Sequence, residues 1–222
     1  MPDTLQQKLD LVQQRIHAAC ARAHRDPAGV RLLAVTKIFP AEVIRDAYSI
    51  GLREFGENYV QEMEDKAPAV EDLEGARFHL IGHLQSNKTK KAAQLFSAID
   101  SVDSVKLARR LDAEGVALDI TMEVKLSHEE SKTGADAEGL ADIVAAVRGS
   151  QNLRLKGLMT VPPWSEDVEL SRPYFAKLRE LAGRHGIAEL SMGMSHDLEV
   201  AIEEGATWVR VGTALFGKRR KP

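Results

Sequence analysis

A lysine closes one of the most apolar stretches of the chain. The run Leu32-Leu33-Ala34-Val35-Thr36 stops on Lys37. If the run is a strand, its last side chain has an apolar stem and a head at the edge of packed structure. Partial desolvation disfavours the ammonium form, lowers the pKa and frees an amine for attack on a carbonyl. The plainer alternative is a lysine that snorkels from a strand end into water. A second group of polar residues lies far along the chain. Ser191-Met192-Gly193-Met194-Ser195 runs into a helical pattern starting at His196-Asp197-Leu198-Glu199, and Arg210-Val211-Gly212-Thr213 ends another β-branched run. Gly193 and Gly212 let backbone N–H groups approach anionic oxygens, and Ser195 and Thr213 add hydroxyl donors. Ser195 also suits a helix N-cap, and Gly212 suits a tight turn. Asp197 fits the start of a helix but repels a dianion unless its carboxylate points away.

These residues need a scaffold that brings them together. Short strand-like runs alternate with amphipathic stretches along the chain. The pattern predicts strands at Arg31–Thr36, Arg53–Gly56, Arg77–Gly82, Ala98–Val102, Leu118–Leu126, Leu153–Thr160, Ala188–Met192 and Thr207–Val211. Helices are predicted at Pro40–Ile50, Val105–Ala113, Ala137–Val147, Arg172–His185 and Asp197–Glu204. Gly51, Gly115, Gly186 and Gly205 fall where helices should stop in a left-handed cap. Eight strand–helix repeats imply an α/β fold, a single (β/α)8 TIM-type barrel with an extra N-terminal helix. Residues 1–222 read as one domain, with 1–28 a helical segment packing on the barrel. An open doubly wound sheet lacks support, because no Gly-x-Gly-x-x-Gly turn follows the first strand.

A barrel carries its site on the loops at the C-terminal ends of its strands, commonly with phosphate held after strands seven and eight. Closure pairs the first and last strands, so Lys37 neighbours Gly212 and Thr213. An amine beside a phosphate clamp selects a phosphorylated carbonyl compound, either pyridoxal phosphate or the sugar phosphate of an aldolase. Arg210 bears on that choice, since an arginine on strand eight can face a pyridine nitrogen. A guanidinium only donates, so it would leave that nitrogen unprotonated and the ring a poorer electron sink. An ion pair with a nearby carboxylate is the other role open to Arg210.

Bulk properties narrow the function classes. The chain has 222 residues, 44% of them hydrophobic, with a formal net charge of −3. A general nucleic-acid binder usually carries a basic surplus. No apolar run approaches the ~20 residues of a membrane span, and no signal-peptide pattern opens the chain. The single cysteine, Cys20, excludes an internal disulfide and suits a reducing cytosol. It falls in step with Leu5, Leu9, Val12 and Ile16, which predicts core packing. Lys218-Arg219-Arg220-Lys221 reads as a solvated tail. His79 and His83 lie four apart in a strand, without a clustered third ligand, so no metal site is expected. No Gly-x-Ser-x-Gly elbow supports a serine hydrolase.

Several segments also resemble one family. Ala34-Val35-Thr36-Lys37, Phe55-Gly56-Glu57-Asn58-Tyr59, the run from His79 to Lys88, Gly157-Leu158-Met159-Thr160, the run from Leu190 to Ser195 and the run from Arg210 to Gly217 recur in order in the pyridoxal phosphate homeostasis proteins. The resemblance spans nearly the whole chain. It implies a barrel like the N-terminal domain of bacterial alanine racemase, without the second domain of that enzyme. It further implies that Lys37 holds pyridoxal phosphate (PLP) as a Schiff base, that Ser195, Gly212 and Thr213 hold its phosphate, and that Arg210 meets its ring nitrogen. Asn58, Met159 and Met194 would line the pocket. The implied role is buffering and delivery of the cofactor in the cytoplasm, by a monomer whose partners are PLP and the apo-enzymes that receive it. No catalytic residue and no turnover reaction is implied. The alternatives are a PLP-dependent amino-acid racemase or lyase, or a Schiff-base aldolase without cofactor. Racemization needs proton donors on both faces of the substrate carbon, which a lone barrel is not expected to supply. Two positions depart from the family pattern. Lys125 stands where asparagine is usual, in a pattern that continues through Glu129, Ser131, Lys132 and Gly134, and His196 stands where relatives are commonly acidic.

Overall fold

A computed structural model describes residues 3–127 and 133–217. The basic run at 218–221 and positions 129, 131 and 132 lie outside the described residues. Helix α1 (Leu5–Arg22) begins with a reciprocal cap, in which the Thr4 hydroxyl accepts the Gln7 N–H and the Gln7 side chain accepts the Thr4 N–H. This satisfies two of the backbone donors that a helix start leaves open. Its 3.6-residue spacing puts Leu9, Val12, Ile16, Ala19 and Cys20 on one buried face, so Cys20 is a core residue as its spacing predicts.

The barrel then follows in strict alternation. Its elements are β1 (Arg31–Val35), α2 (Ala41–Ser49), β2 (Glu54–Glu57), α3 (Val60–Lys66), β3 (Arg77–Leu80), α4 (Thr89–Leu95), β4 (Ala98–Val102) and α5 (Val105–Asp112). They continue with β5 (Leu118–Glu123), α6 (Leu140–Arg148), β6 (Leu153–Met159), α7 (Arg172–Arg184), β7 (Glu189–Met194), α8 (Leu198–Glu203), β8 (Trp208–Val211) and α9 (Thr213–Phe216). All eight strands are parallel and close in sequence order, with β1 paired to β8 through Leu33↔Arg210 and Ala34↔Val211. Gly51, Gly115, Gly186 and Gly205 all take positive φ after their helices. Helices α3, α4 and α9 escaped the periodicity because each spans only four to seven residues. β5 stops at Glu123, short of the expected Leu126, because the chain then turns to a single bridge between Val124 and Ala135.

Alternation along the strands divides two environments. Val209 and Val211 of β8 enter the main core under the helices, while Trp208 and Arg210 face the barrel interior. That interior is polar at both ends. At the N-terminal end a cavity of about 340 Å³ is lined by Arg31, Glu54, Arg77, His79 and Asp100, among others. His79 Nδ1 lies 2.9 Å from Asp100 and its Nε2 lies 2.8 Å from Glu54. Helix α1 packs across α8 and α9, with Arg15 clasping Glu199 at 2.6 and 2.8 Å.

Candidate functional site

At the C-terminal ends of the strands lies a cleft of about 420 Å³, within the usual range for small-molecule sites. Lys37 leaves β1 and Asn58 leaves β2, and the Lys37 amine donates to Asn58 Oδ1 at 3.1 Å. Both residues line the cleft, together with Met194 at the end of β7, Ser195 after it, and Arg210, Gly212 and Thr213 from β8 onward. Met159 lies beside the cleft without lining it. It pairs in register with Glu123 and Ser191, is fully buried in the barrel interior, and is not among the described residues that line the cleft.

The β7 and β8 ends are tied together, because the Ala214 N–H donates to Ser195 Oγ at 3.2 Å. Helix α8 begins at Leu198, later than its pattern predicts, so Ser195 is not its N-cap. Asp197 occupies that position, and its carboxylate turns back to accept the Met194 N–H at 2.7 Å. Asp197 is buried in that bond and is not among the described residues that line the cleft, so its carboxylate points away from it. Gly193 has a different reason from the one its position suggests. Its φ is +89°, and an added Cβ would lie 2.4 Å from the Ala201 Cβ, so glycine is needed for α8 to pack on β7. Gly212 is the residue that borders the cleft, where an added Cβ would lie 3.2 Å from the Val35 carbonyl oxygen.

Arg210 is buried, and its guanidinium donates to Ser191 O at 2.6 Å, Ser191 Oγ at 2.9 Å and Thr160 O at 2.9 Å. A guanidinium carries five N–H donors, so these bonds leave donors for the cleft. Burial pulls its pKa below the usual range, and the charges of Asp197, Asp100 and Glu123 oppose that pull. No ion pair of Arg210 occurs within 4 Å among the described residues. Its observed partners are backbone and hydroxyl oxygens, in place of the carboxylate of the alternative role.

Pattern reading overlooked Glu123. It is buried, lines the cleft, and accepts a bond from Thr133 Oγ1 at 3.2 Å. Burial holds its carboxyl above the ordinary range, and the Thr133 bond and the Arg210 charge offset this in part. Its signal was available, since Asp119, Thr121 and Glu123 alternate along β5 and so mark a polar inner face. His83 also lines the cleft, 3.5 Å from Asp103, while His79 belongs to the cavity at the other end. The two histidines thus face separate environments. Lys125 borders a side recess of about 230 Å³ that shares Glu123, Thr133 and Val161 with the main cleft, and its backbone N–H donates to Ala135 O at 2.9 Å. His196 is exposed at the rim, where Nε2 bonds to Ser165 O at 3.0 Å and the ring stacks on Trp164.

Comparison with known proteins finds relatives in sequence and in fold. Residues 8–220 match the family described as the alanine racemase N-terminal domain. The pyridoxal phosphate homeostasis protein of Pseudomonas aeruginosa is 46% identical over 222 residues, covering 97% of this chain and 96% of that protein. Its counterpart in Aquifex aeolicus is 43% identical, covering 96% and 98%. PipY of Synechococcus elongatus, in the structure with PLP bound, superposes with a TM-score of 0.80 at 39% identity, covering 93% of this chain and all of that one. Alanine racemase of Clostridium difficile, at 11% identity and a TM-score of 0.71, shares the fold over 57% of its own chain.

Proposed function

This chain belongs to the pyridoxal phosphate homeostasis family, and from that premise we propose that it binds PLP in the cleft around Lys37 and serves as a carrier of the cofactor. The observation that supports this most is the convergence of an amine, two hydroxyls and a buried guanidinium on one cleft of suitable volume. The donor set fits the molecule at both ends. Ser195 Oγ, which accepts the Ala214 N–H and can still donate its own hydrogen, and Thr213 Oγ1 are donors for a phosphate. Lys37 supplies the amine that condenses with the aldehyde to a Schiff base, with loss of water. Val35, Ile81 and Met194 give the ring apolar walls, and Asn58 orients the amine through its side-chain oxygen.

Arg210 is assigned to the ring nitrogen. Its hydrogen bonds to Ser191 and Thr160 fix it before any ligand arrives, and a donor at that nitrogen weakens the ring as an electron sink. Such a site favours holding the cofactor over driving carbanion chemistry, which supports buffering and delivery to apo-enzymes rather than racemization. The buried free thiol of Cys20 suits a reducing compartment such as the cytoplasm. Among the described residues, no helix is long and apolar enough to cross a membrane. Transfer of PLP from the loaded protein to an apo-enzyme tests the delivery role. Activation faster than spontaneous release into a PLP-scavenging solution is expected, and activation at the release rate contradicts delivery.

A further inference from the structure

A buried cluster behind the cleft holds the chain on both sides of Lys37. Lys66, at the end of α3, donates to Glu57 Oε1 at 2.9 Å, Glu62 Oε1 at 2.7 Å and the Thr36 carbonyl at 3.1 Å. The Thr36 hydroxyl donates to the same Glu57 oxygen at 2.7 Å. On the far side of Lys37, the Ile38 N–H donates to Glu62 Oε1. Thr36 and Ile38 are thus gripped by one cluster while Lys37 lies between them. Lys66 and Glu57 are buried, and neither is among the described residues that line the cleft.

The grip coincides with an unusual backbone. Ile38 has φ +71°, a left-handed conformation that β-branched residues rarely adopt. Its side chain is half exposed, so packing of that side chain does not impose the turn. The turn is closed by the Phe39 N–H donating to the Thr36 carbonyl at 3.1 Å, and the bonds of Glu62 and Lys66 hold its two shoulders. Glu57 is also followed directly by Asn58, whose side chain receives the Lys37 amine.

We infer that Lys66, with Glu57 and Glu62, is a positioning group that forces the turn at Ile38 and thereby aims the Lys37 amine into the cleft. The inference rests on the PLP reading of the site, but it assigns to the cluster a task that phosphate binding does not need. Lys66 touches no ligand in this scheme. Its role is to keep the turn in a conformation that isoleucine would otherwise leave. The two carboxylates divide the work. Glu62 balances the Lys66 charge from a partly exposed position, and Glu57 has one oxygen without a partner among the described residues. Burial pushes the Glu57 carboxyl up from its ordinary range, with the Lys66 charge opposing.

Removing Lys66 alone leaves Glu57 buried and unpaired, which endangers folding. The test therefore uses Glu62→Ala and the double variant Lys66→Met with Glu57→Gln, each with and without Ile38→Gly. Two probes separate aim from grip. PLP binds through both phosphate and aldehyde, whereas pyridoxine phosphate has no aldehyde and reports the phosphate grip alone. Both cluster variants are expected to lose about tenfold in PLP affinity and in borohydride-fixed PLP on Lys37, the order of factor carried by a left-handed β-branched residue. Affinity for pyridoxine phosphate should stay within about twofold, a change too small to reflect a lost phosphate bond. Ile38→Gly should restore a substantial part of the labelling, because glycine adopts the turn unaided. In the ligand-free protein, amide exchange at Ile38 should quicken in both cluster variants. Labelling that persists at the wild-type level, equal loss of both ligands, or no recovery with glycine overturns the inference. If the wild-type protein itself takes up no PLP on Lys37, the reading of the site fails instead, and exchange at Ile38 still decides whether the cluster holds the turn.

Discussion

His79 offers a measurable consequence of the polar barrel interior. Burial alone would lower its pKa, but the charge and hydrogen bond of Asp100, joined by Glu54, outweigh burial and lift it from 6.5 to about 9. The groups around it are those two carboxylates, Arg77 at 3.5 Å from Glu54, and the Trp208 ring at 5.4 Å between centroids. The folded protein therefore holds this proton more tightly than the unfolded chain. The stabilisation is fully present below pH 6.5 and is lost as pH rises through about 9. At 1.36 kcal/mol for each tenfold change in proton affinity, the contribution is about 3 kcal/mol. For a chain of this size that corresponds to about 6–12 °C in Tm. The perturbation is His79→Gln, which keeps a polar side chain but cannot titrate. Tm is measured for both proteins from pH 6 to pH 9.5, and the difference between them cancels the titration of distant groups. The gap should be widest at pH 6 and shrink by about 3 kcal/mol toward pH 9.5. A gap that stays constant across this range would show that His79 is not held protonated by its carboxylates.

Three further substitutions probe the β7 and β8 ends. Ser195→Ala and Thr213→Val should each weaken PLP binding by about tenfold or more in equilibrium dialysis, since hydrogen bonds to charged groups contribute about 1.5–3 kcal/mol. Pyridoxal without its phosphate should bind the variants and the wild type alike, and equal losses for both ligands would contradict the assignment. Gly193→Ala sets a Cβ 2.4 Å from that of Ala201 at a φ of +89°. It should destabilise the fold by about 2–3 kcal/mol in chemical denaturation, and a change below about 0.5 kcal/mol would refute the packing role of this glycine.

Much of this was legible in the residues. Alternating strand and helix patterns carried the closed barrel, because each strand between Arg31 and Val211 is bounded by polar or glycine-containing turns. The ends of β1, β7 and β8 stood out because Lys37, Ser195 and Thr213 close strand-like runs. What escaped is of two kinds. Short helices such as α3 and α4 complete barely two turns, too few for a 3.6-residue period to register. The second kind is long-range pairing. Nothing local indicates that Lys66 reaches back to Thr36, or that Arg210 bonds to Ser191 and Thr160 instead of a carboxylate. Those choices depend on how neighbouring strands are registered, which one stretch of sequence does not encode. Glu123 lies between the two cases, since its alternation with Thr121 and Asp119 gave its direction but not its neighbours.

The account depends most on the chemistry of one side chain, and one experiment reaches it directly. The purified protein is loaded with PLP, its absorption spectrum recorded, and the adduct fixed with borohydride for peptide mapping. The account predicts a visible imine band that reduction abolishes, one modified residue at Lys37, and no fixed cofactor in Lys37→Ala. Stoichiometric modification of a different lysine, or an unchanged band in Lys37→Ala, would contradict it.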